Sequence, residues 1–276
     1  MVEIKGSVGG DGVEECLERG GGSSSAQARY QQCKLMGMQG ASFAEAPDAK
    51  FYPELVEFGG LSRALRRVAE ERSLDLGDVR PGSEQGLSVY RTVEADSSRG
   101  PIRVSTVLNR RAFSISIDSA AGDFVWAYGS ATTLEDLADV IDAWRSGVLL
   151  APLQERFPFI DFSKMAEGYE RGTPVETAWN ILLSEDTYDS RREMVAALHS
   201  RPRLSELFPF FSHEVLRLAV DPFDRDAGEI CIELQVNGLY SMRSSDDEVL
   251  VGVGLADLAD AATAIVEFLA RRRPHG

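Results

Sequence analysis

Histidine and cysteine are scarce in this chain, three of each among 276 residues. Cys16, Cys33 and Cys231 have neither the density of a disulfide framework nor the Cys-x-x-Cys spacing of a zinc site. Cys231 falls in a predicted strand and reads as a small buried hydrophobe. His-Glu-x-x-His and Gly-x-Ser-x-Gly are absent, so no metal site and no nucleophile elbow is expected. Gly252-Val253-Gly254 lacks the third glycine of a dinucleotide fingerprint and no phosphate loop occurs elsewhere, so no cofactor is expected. Basic residues are outnumbered, 29 against 44 acidic ones, for a net charge of −15. Nucleic acid is thereby disfavoured as the main partner, because phosphate neutralisation needs an excess of Lys and Arg. The one tight basic cluster, Arg271-Arg272-Arg273, suits the negative end of a helix dipole. No apolar run approaches the ~18 residues of a membrane-spanning helix, and no apolar signal core follows Lys5. The expectation is a cytoplasmic protein with no membrane partner.

What the chain does have is a repeat. Leu134-Glu135-Asp136-Leu137-Ala138-Asp139 returns as Leu255-Ala256-Asp257-Leu258-Ala259-Asp260. Each copy follows strand-like segments and opens a run with helical periodicity. A second echo pairs Leu153-Gln154-Glu155-Arg156-Phe157-Pro158-Phe159 with Leu204-Ser205-Glu206-Leu207-Phe208-Pro209-Phe210. Four segments alternate in the first half, at residues 87–93, 102–108, 112–117 and 123–128, and four in the second, at 215–220, 229–236, 238–243 and 248–253. Two-residue alternation with short breaks predicts antiparallel meanders, each with one face buried. Helices are predicted at residues 61–72, 134–145, 163–170, 175–183, 190–200 and 255–272, with a short one opened near Pro152 and stopped by Pro158.

The fold class is therefore α+β: two similar units, each an antiparallel sheet of about four strands backed by helices, joined by a helical segment. Residues 1–50 read as a flexible N-terminal tail, a linker or a mis-called start, given Gly20-Gly21-Gly22-Ser23-Ser24-Ser25. Residues 51–150 form the first unit, 151–200 the helical connector and 201–276 the second unit. How the sheets pack is left open.

Candidate chemistry is thin. His213 follows an aromatic cluster and precedes a strand, so it is a candidate general base with Glu214 or Asp221 as its acid. The plainer reading is a structural histidine tying a turn. His199 sits at a predicted helix C-terminus and His275 near the chain end. The acidic stretch from Asp221 to Glu229 lacks calcium-loop spacing and reads as a solvated connection. The Phe-Pro-Phe segments are either core plugs after a helix stopped by Pro, or a docking surface made of Phe208, Phe210, Phe211, Phe157 and Phe159.

The segment Leu204-Ser205-Glu206-Leu207-Phe208-Pro209-Phe210-Phe211-Ser212-His213-Glu214-Val215-Leu216-Arg217-Leu218 resembles the Leu-Phe-Pro, Ser-His and Leu segment of a bacterial family of unknown function. Members of that family carry the description "natural product biosynthesis protein". Asp142-Ala143-Trp144-Arg145-Ser146-Gly147, Glu155-Arg156-Phe157-Pro158-Phe159 and Glu176-Thr177-Ala178-Trp179 are similar to its middle region. The likeness spans about residues 55–272 and implies a genomic setting, with no catalytic residues to carry over. One departure is Leu218-Ala219-Val220-Asp221-Pro222-Phe223, where a polar Ser-Arg-Cys-Thr-like stretch is common; any activity resting on that stretch is in doubt. The functional expectation is a non-catalytic accessory or binding protein of a biosynthetic pathway that engages a peptide or protein partner. Its alternatives are an enzyme with a site between the units around His213, and an immunity protein.

Overall fold

The computed structural model describes residues 49–82, 90–244 and 249–272. Residues 1–48, residues 87–89 of the strand expected at 87–93, the turn before residue 249 and His275 lie outside them.

The first unit opens with α1 (Pro53–Phe58) and α2 (Leu61–Arg72). Leu61, Ala64, Leu65 and Ala69 are buried on one face of α2, as their spacing requires. Five strands follow as a meander: β1 (Val79–Pro81), β2 (Thr92–Ser97), β3 (Gly100–Thr106), β4 (Phe113–Asp118) and β5 (Val125–Ala131). Then comes α3 (Leu134–Arg145), whose N-cap Thr133 accepts the Asp136 amide at 3.1 Å. Glu135 and Asp136 face the positive end of that helix. Next are α4 (Leu150–Arg156) and the short β6 (Ile160–Asp161), which pairs with β5 and completes a six-stranded sheet.

Helices α5 (Lys164–Glu170) and α6 (Pro174–Ser184) lead to a 3-10 segment (Asp186–Arg191), α7 (Arg192–His199) and α8 (Pro202–Ser205). A second meander follows: β7 (Phe208–Ser212), β8 (Val215–Ala219), β9 (Glu229–Leu234), β10 (Tyr240–Ser244) and β11 (Val249–Val253). It ends in α9 (Leu255–Arg272). The repeat thus marks one plan used twice, five antiparallel strands and then a helix opened by Leu-x-Asp-Leu-Ala-Asp. Among the described residues the two sheets stay separate.

Each sheet buries one face. Ile102, Val104, Ile115 and Ile117 meet Leu137, Ile141 and Trp144 in the first core. Leu216, Leu218, Ile230, Ile232 and Met242 meet Leu258, Ala262 and Ile265 in the second. The opposite face of the first sheet carries one cross-strand row through all six strands: Arg80, Glu94, Arg103, Ser116, Tyr128, Asp161. Glu94 takes Arg80 and Arg103 at 3.2 Å each, and the Tyr128 hydroxyl donates to Asp161 at 3.3 Å. A row of this kind keeps the open face wet and its register defined.

Two local expectations are corrected, while Cys231 is buried in a strand as expected. Phe208–Ser212 is a strand rather than a helix stop, because Pro209 lies in an edge strand where the missing N–H breaks no second ladder. Strands β1 and β6 raise the first sheet to six. Cys231 is buried, but it lies on the face away from the core, in register with Arg217 and Arg243. Burial first, then the Glu229 carboxylate, pushes its thiol pKa up.

The first sheet is tied to the helical connector through Arg99, in the turn between β2 and β3. Its guanidinium lies over the Trp144 ring, 3.2 Å from the centroid. It donates to Val148 O at 2.6 Å, Trp144 O at 3.3 Å and Glu170 Oε1 at 3.2 Å. The Glu170 carboxylate also takes the Leu150 amide at 3.0 and 3.1 Å. One ion pair therefore satisfies carbonyls at the end of α3 and an amide at the start of α4, and anchors the end of α5. Burial pulls the Arg99 pKa below its ordinary value, with Glu170 opposing. Gly100 makes the turn possible: its φ is +132°, and a side chain there would collide with the Asp118 carbonyl.

Arg99→Ala leaves the Glu170 carboxylate and the carbonyls of Trp144 and Val148 without the guanidinium. Full burial of such a pair costs roughly 3–5 kcal/mol when one member is lost. The side chains of Arg99 and Glu170 are 21% and 12% exposed, so screening trims the loss. The expected loss of unfolding free energy is about 2–4 kcal/mol in urea denaturation, with a smaller loss for Glu170→Gln, which keeps the hydrogen bonds.

Candidate functional site: an aromatic cleft between the two units

Helices α5 and α6 form a wedge between the sheets, α5 against β5 and α6 against β7. They cross closely at Gly168, where a side chain would collide with Thr177. Beside the wedge lies a cavity of about 380 Å³. The turn into β5 gives it Asp123 and Phe124, and α5 gives Met165 and Tyr169. Ala178, Ile181 and Leu182 come from α6, Tyr188 from the 3-10 segment, residues 208–211 from β7, and Pro222 and Phe223 from the loop after β8. Its volume is near the lower end of the ~300–1,000 Å³ of small-ligand sites.

Stacked rings build its walls. Phe124 and Tyr169 lie 4.3 Å apart at an interplanar angle of 13°. Phe223 closes on both, 6.2 Å from Phe124 and 5.9 Å from Tyr169. Phe208 lies 6.5 Å from Tyr169, and Phe124 meets Trp126 edge-on at 4.7 Å. At the other end Tyr188 stacks on Phe211 at 5.4 Å, with the Arg191 guanidinium 4.8 Å from the Phe211 centroid. Each such ring pair adds roughly 0.5–1.5 kcal/mol beyond area burial. Tyr169 is placed by its neighbour Glu170, which Arg99 holds, and Trp126 Nε1 donates to Arg99 O at 3.1 Å. The clasp thus sets both the α5 wall and the ring against which Phe124 rests.

The Tyr169 hydroxyl is pushed up to about 12, chiefly by burial and then by the carboxylates of Asp221 and Asp123. It stays protonated and presents a neutral O–H beside two negative charges.

The sequence candidates separate. Phe208, Phe210 and Phe211 line the cavity. Phe157 and Phe159 do not; they belong to the first core, their rings 6.0 Å apart. His213 and Glu214 are the two central residues of the β7–β8 hairpin, with φ of 49° and 71°, and both are exposed. Positive φ at both positions is what a tight hairpin turn demands. His213 Nδ1 lies 3.2 Å from Ser212 Oγ, and Glu214 is ion-paired to Arg191. Asp221 lies beyond the other end of β8, five residues at about 3.3 Å each away, so it makes no dyad with them. Asp221 instead accepts the Phe223 amide at 2.9 Å and holds that ring at the cleft mouth. Phe124, Tyr169, Tyr188 and Phe223 carried no sequence signal for the site, since they come from four separate segments. Among the described residues no cluster of three or more His, Cys, Asp or Glu is placed to hold a metal ion. No helix among them is long and apolar enough to cross a membrane.

Residues 173–273 match a family of unknown function, DUF6193. The matched segment begins at the head of α6, close to Trp179, the first buried residue of the second core. No curated protein and no solved structure matches the chain. The cleft uses matched residues for its α6, β7 and Phe223 walls, and unmatched ones for Phe124 and Tyr169.

The Tyr169 environment has a testable pH consequence. A folded-state pKa raised from 10.0 to about 12 means that the unfolded chain ionises first. Its contribution to stability is full below about pH 10, falls as pH rises to about 12, and is then lost. Between about pH 9 and about pH 11, wild type is expected to lose more denaturant stability than Tyr169→Phe.

Proposed function

We propose that the protein is a non-catalytic binding protein whose aromatic cleft takes up an apolar side chain presented by a peptide or protein partner. The observation that carries this reading is the cleft itself: seven aromatic rings around about 380 Å³, open to solvent where Phe223 is 46% exposed. Rings of this kind give large contact area at low entropic cost, and they recur at binding hot spots. The rings are held by packing and by the Arg99 clasp, so little ordering is left to the binding step. Resemblance to a family described with natural-product biosynthesis supports a place in such a pathway, where the partner is another component. His213 and Glu214 are exposed in a hairpin turn and are not among the residues that line the cleft, which favours binding over a reaction centred on His213.

Panning a displayed random heptapeptide library on the immobilised protein tests this. Enrichment of peptides bearing Phe, Tyr, Trp or Leu is expected, and their binding weakens about tenfold or more in Phe210→Ala/Phe223→Ala. Both rings are partly exposed, and circular dichroism checks that the variant stays folded. No enrichment over this variant would overturn the reading.

A further inference from the structure

We propose that the segment entering the cleft is cationic, carrying a Lys, Arg or free amino group beside its apolar side chain. The inference rests on the binding reading above and names the partner's chemistry. Asp123 is the one charged residue among those lining the cavity. It sits next to Phe124 in the turn before β5. Asp221 flanks the same mouth from the other unit, next to Pro222 and Phe223, which line it. Both carboxylates, from separate chain segments, raise the pKa of the Tyr169 hydroxyl, which lines the same cavity. Both are exposed, and among the described residues neither forms an ion pair.

Two basic groups beside lining residues are already engaged, Arg191 by Glu214 and Lys164 by Glu185. No basic residue is itself part of the lining, so the charge it carries is negative.

The rings add to it. The stacked faces of Phe124, Tyr169 and Phe223 present π-electron density, which attracts a cation within about 6 Å of a centroid. An apolar interior with aromatic walls and two carboxylates at the rim fits an ammonium or guanidinium held at the mouth while the apolar part enters. An anionic segment meets repulsion at the same place. The net charge of −15 extends this preference to the encounter step.

The same panning supplies the test. Enriched peptides are expected to place Lys, Arg or a free N-terminus within a few residues of the apolar anchor. A synthetic copy of the strongest binder, titrated by fluorescence anisotropy, should bind about tenfold more weakly when its Lys is replaced by norleucine or its amine is acetylated. It should also bind about tenfold more weakly to Asp123→Asn/Asp221→Asn, and wild-type affinity should fall as salt rises. If apolar peptides are enriched without positive charge, or the double variant binds unchanged, this inference fails while the binding reading stands. If nothing is enriched, both fail.

Discussion

The structure depends on the ion pair of Arg99 and Glu170. Each partner alone would be a half-buried charge without a counterion. Together they close two helix ends, cover the Trp144 ring and fix α5 against the first unit. The net stabilisation of such a pair is modest, because desolvation offsets much of the attraction. Its value is geometric. A guanidinium with four partners in fixed directions admits one position for the turn after β2 and one for the end of α5. Tyr169 precedes Glu170 in the chain, so the same contact holds one wall of the cleft.

The cleft follows from having two cores rather than one. Each meander covers its inner face with its own helices, and the outer face of the first sheet is occupied by a polar row. Neither sheet can bury itself against the other. The junction is left to α5 and α6, which approach closely at Gly168. The gap fills with rings, from β7, from the turn before β5 and from the loop after β8. Carboxylates remain at its mouth, where water solvates them.

Much of the fold was legible in the sequence because its rules are local. Alternation located β3, β4, β8 and β9, and helical periodicity located α3, with Thr132 and Thr133 both open as its cap until the structure placed Thr133 there. The doubled Leu-x-Asp-Leu-Ala-Asp segment revealed the repeated plan. What escaped was set by tertiary context. Strand β6 is two residues long and exists because Gly129 on β5 lets the Phe159 backbone come close. Strand β7 contains a proline, which reads as a breaker unless the strand is known to be an edge. The cleft was half visible: the Phe-Pro-Phe segment of β7 pointed to it, while nothing in the sequence singled out Tyr169 or Phe124. His213 stood out by rarity, yet its backbone conformation shows the reason for its place, a tight turn.

The central claim is that the Arg99 clasp holds Tyr169 in the cleft while the second core stands independently. Ring-to-ring nuclear Overhauser contacts in Arg99→Ala test it most directly. The account predicts that contacts between Phe124 and Tyr169 are lost while those between Tyr188 and Phe211 persist. Retention of the Phe124–Tyr169 contacts at wild-type strength, in the folded variant, would contradict it.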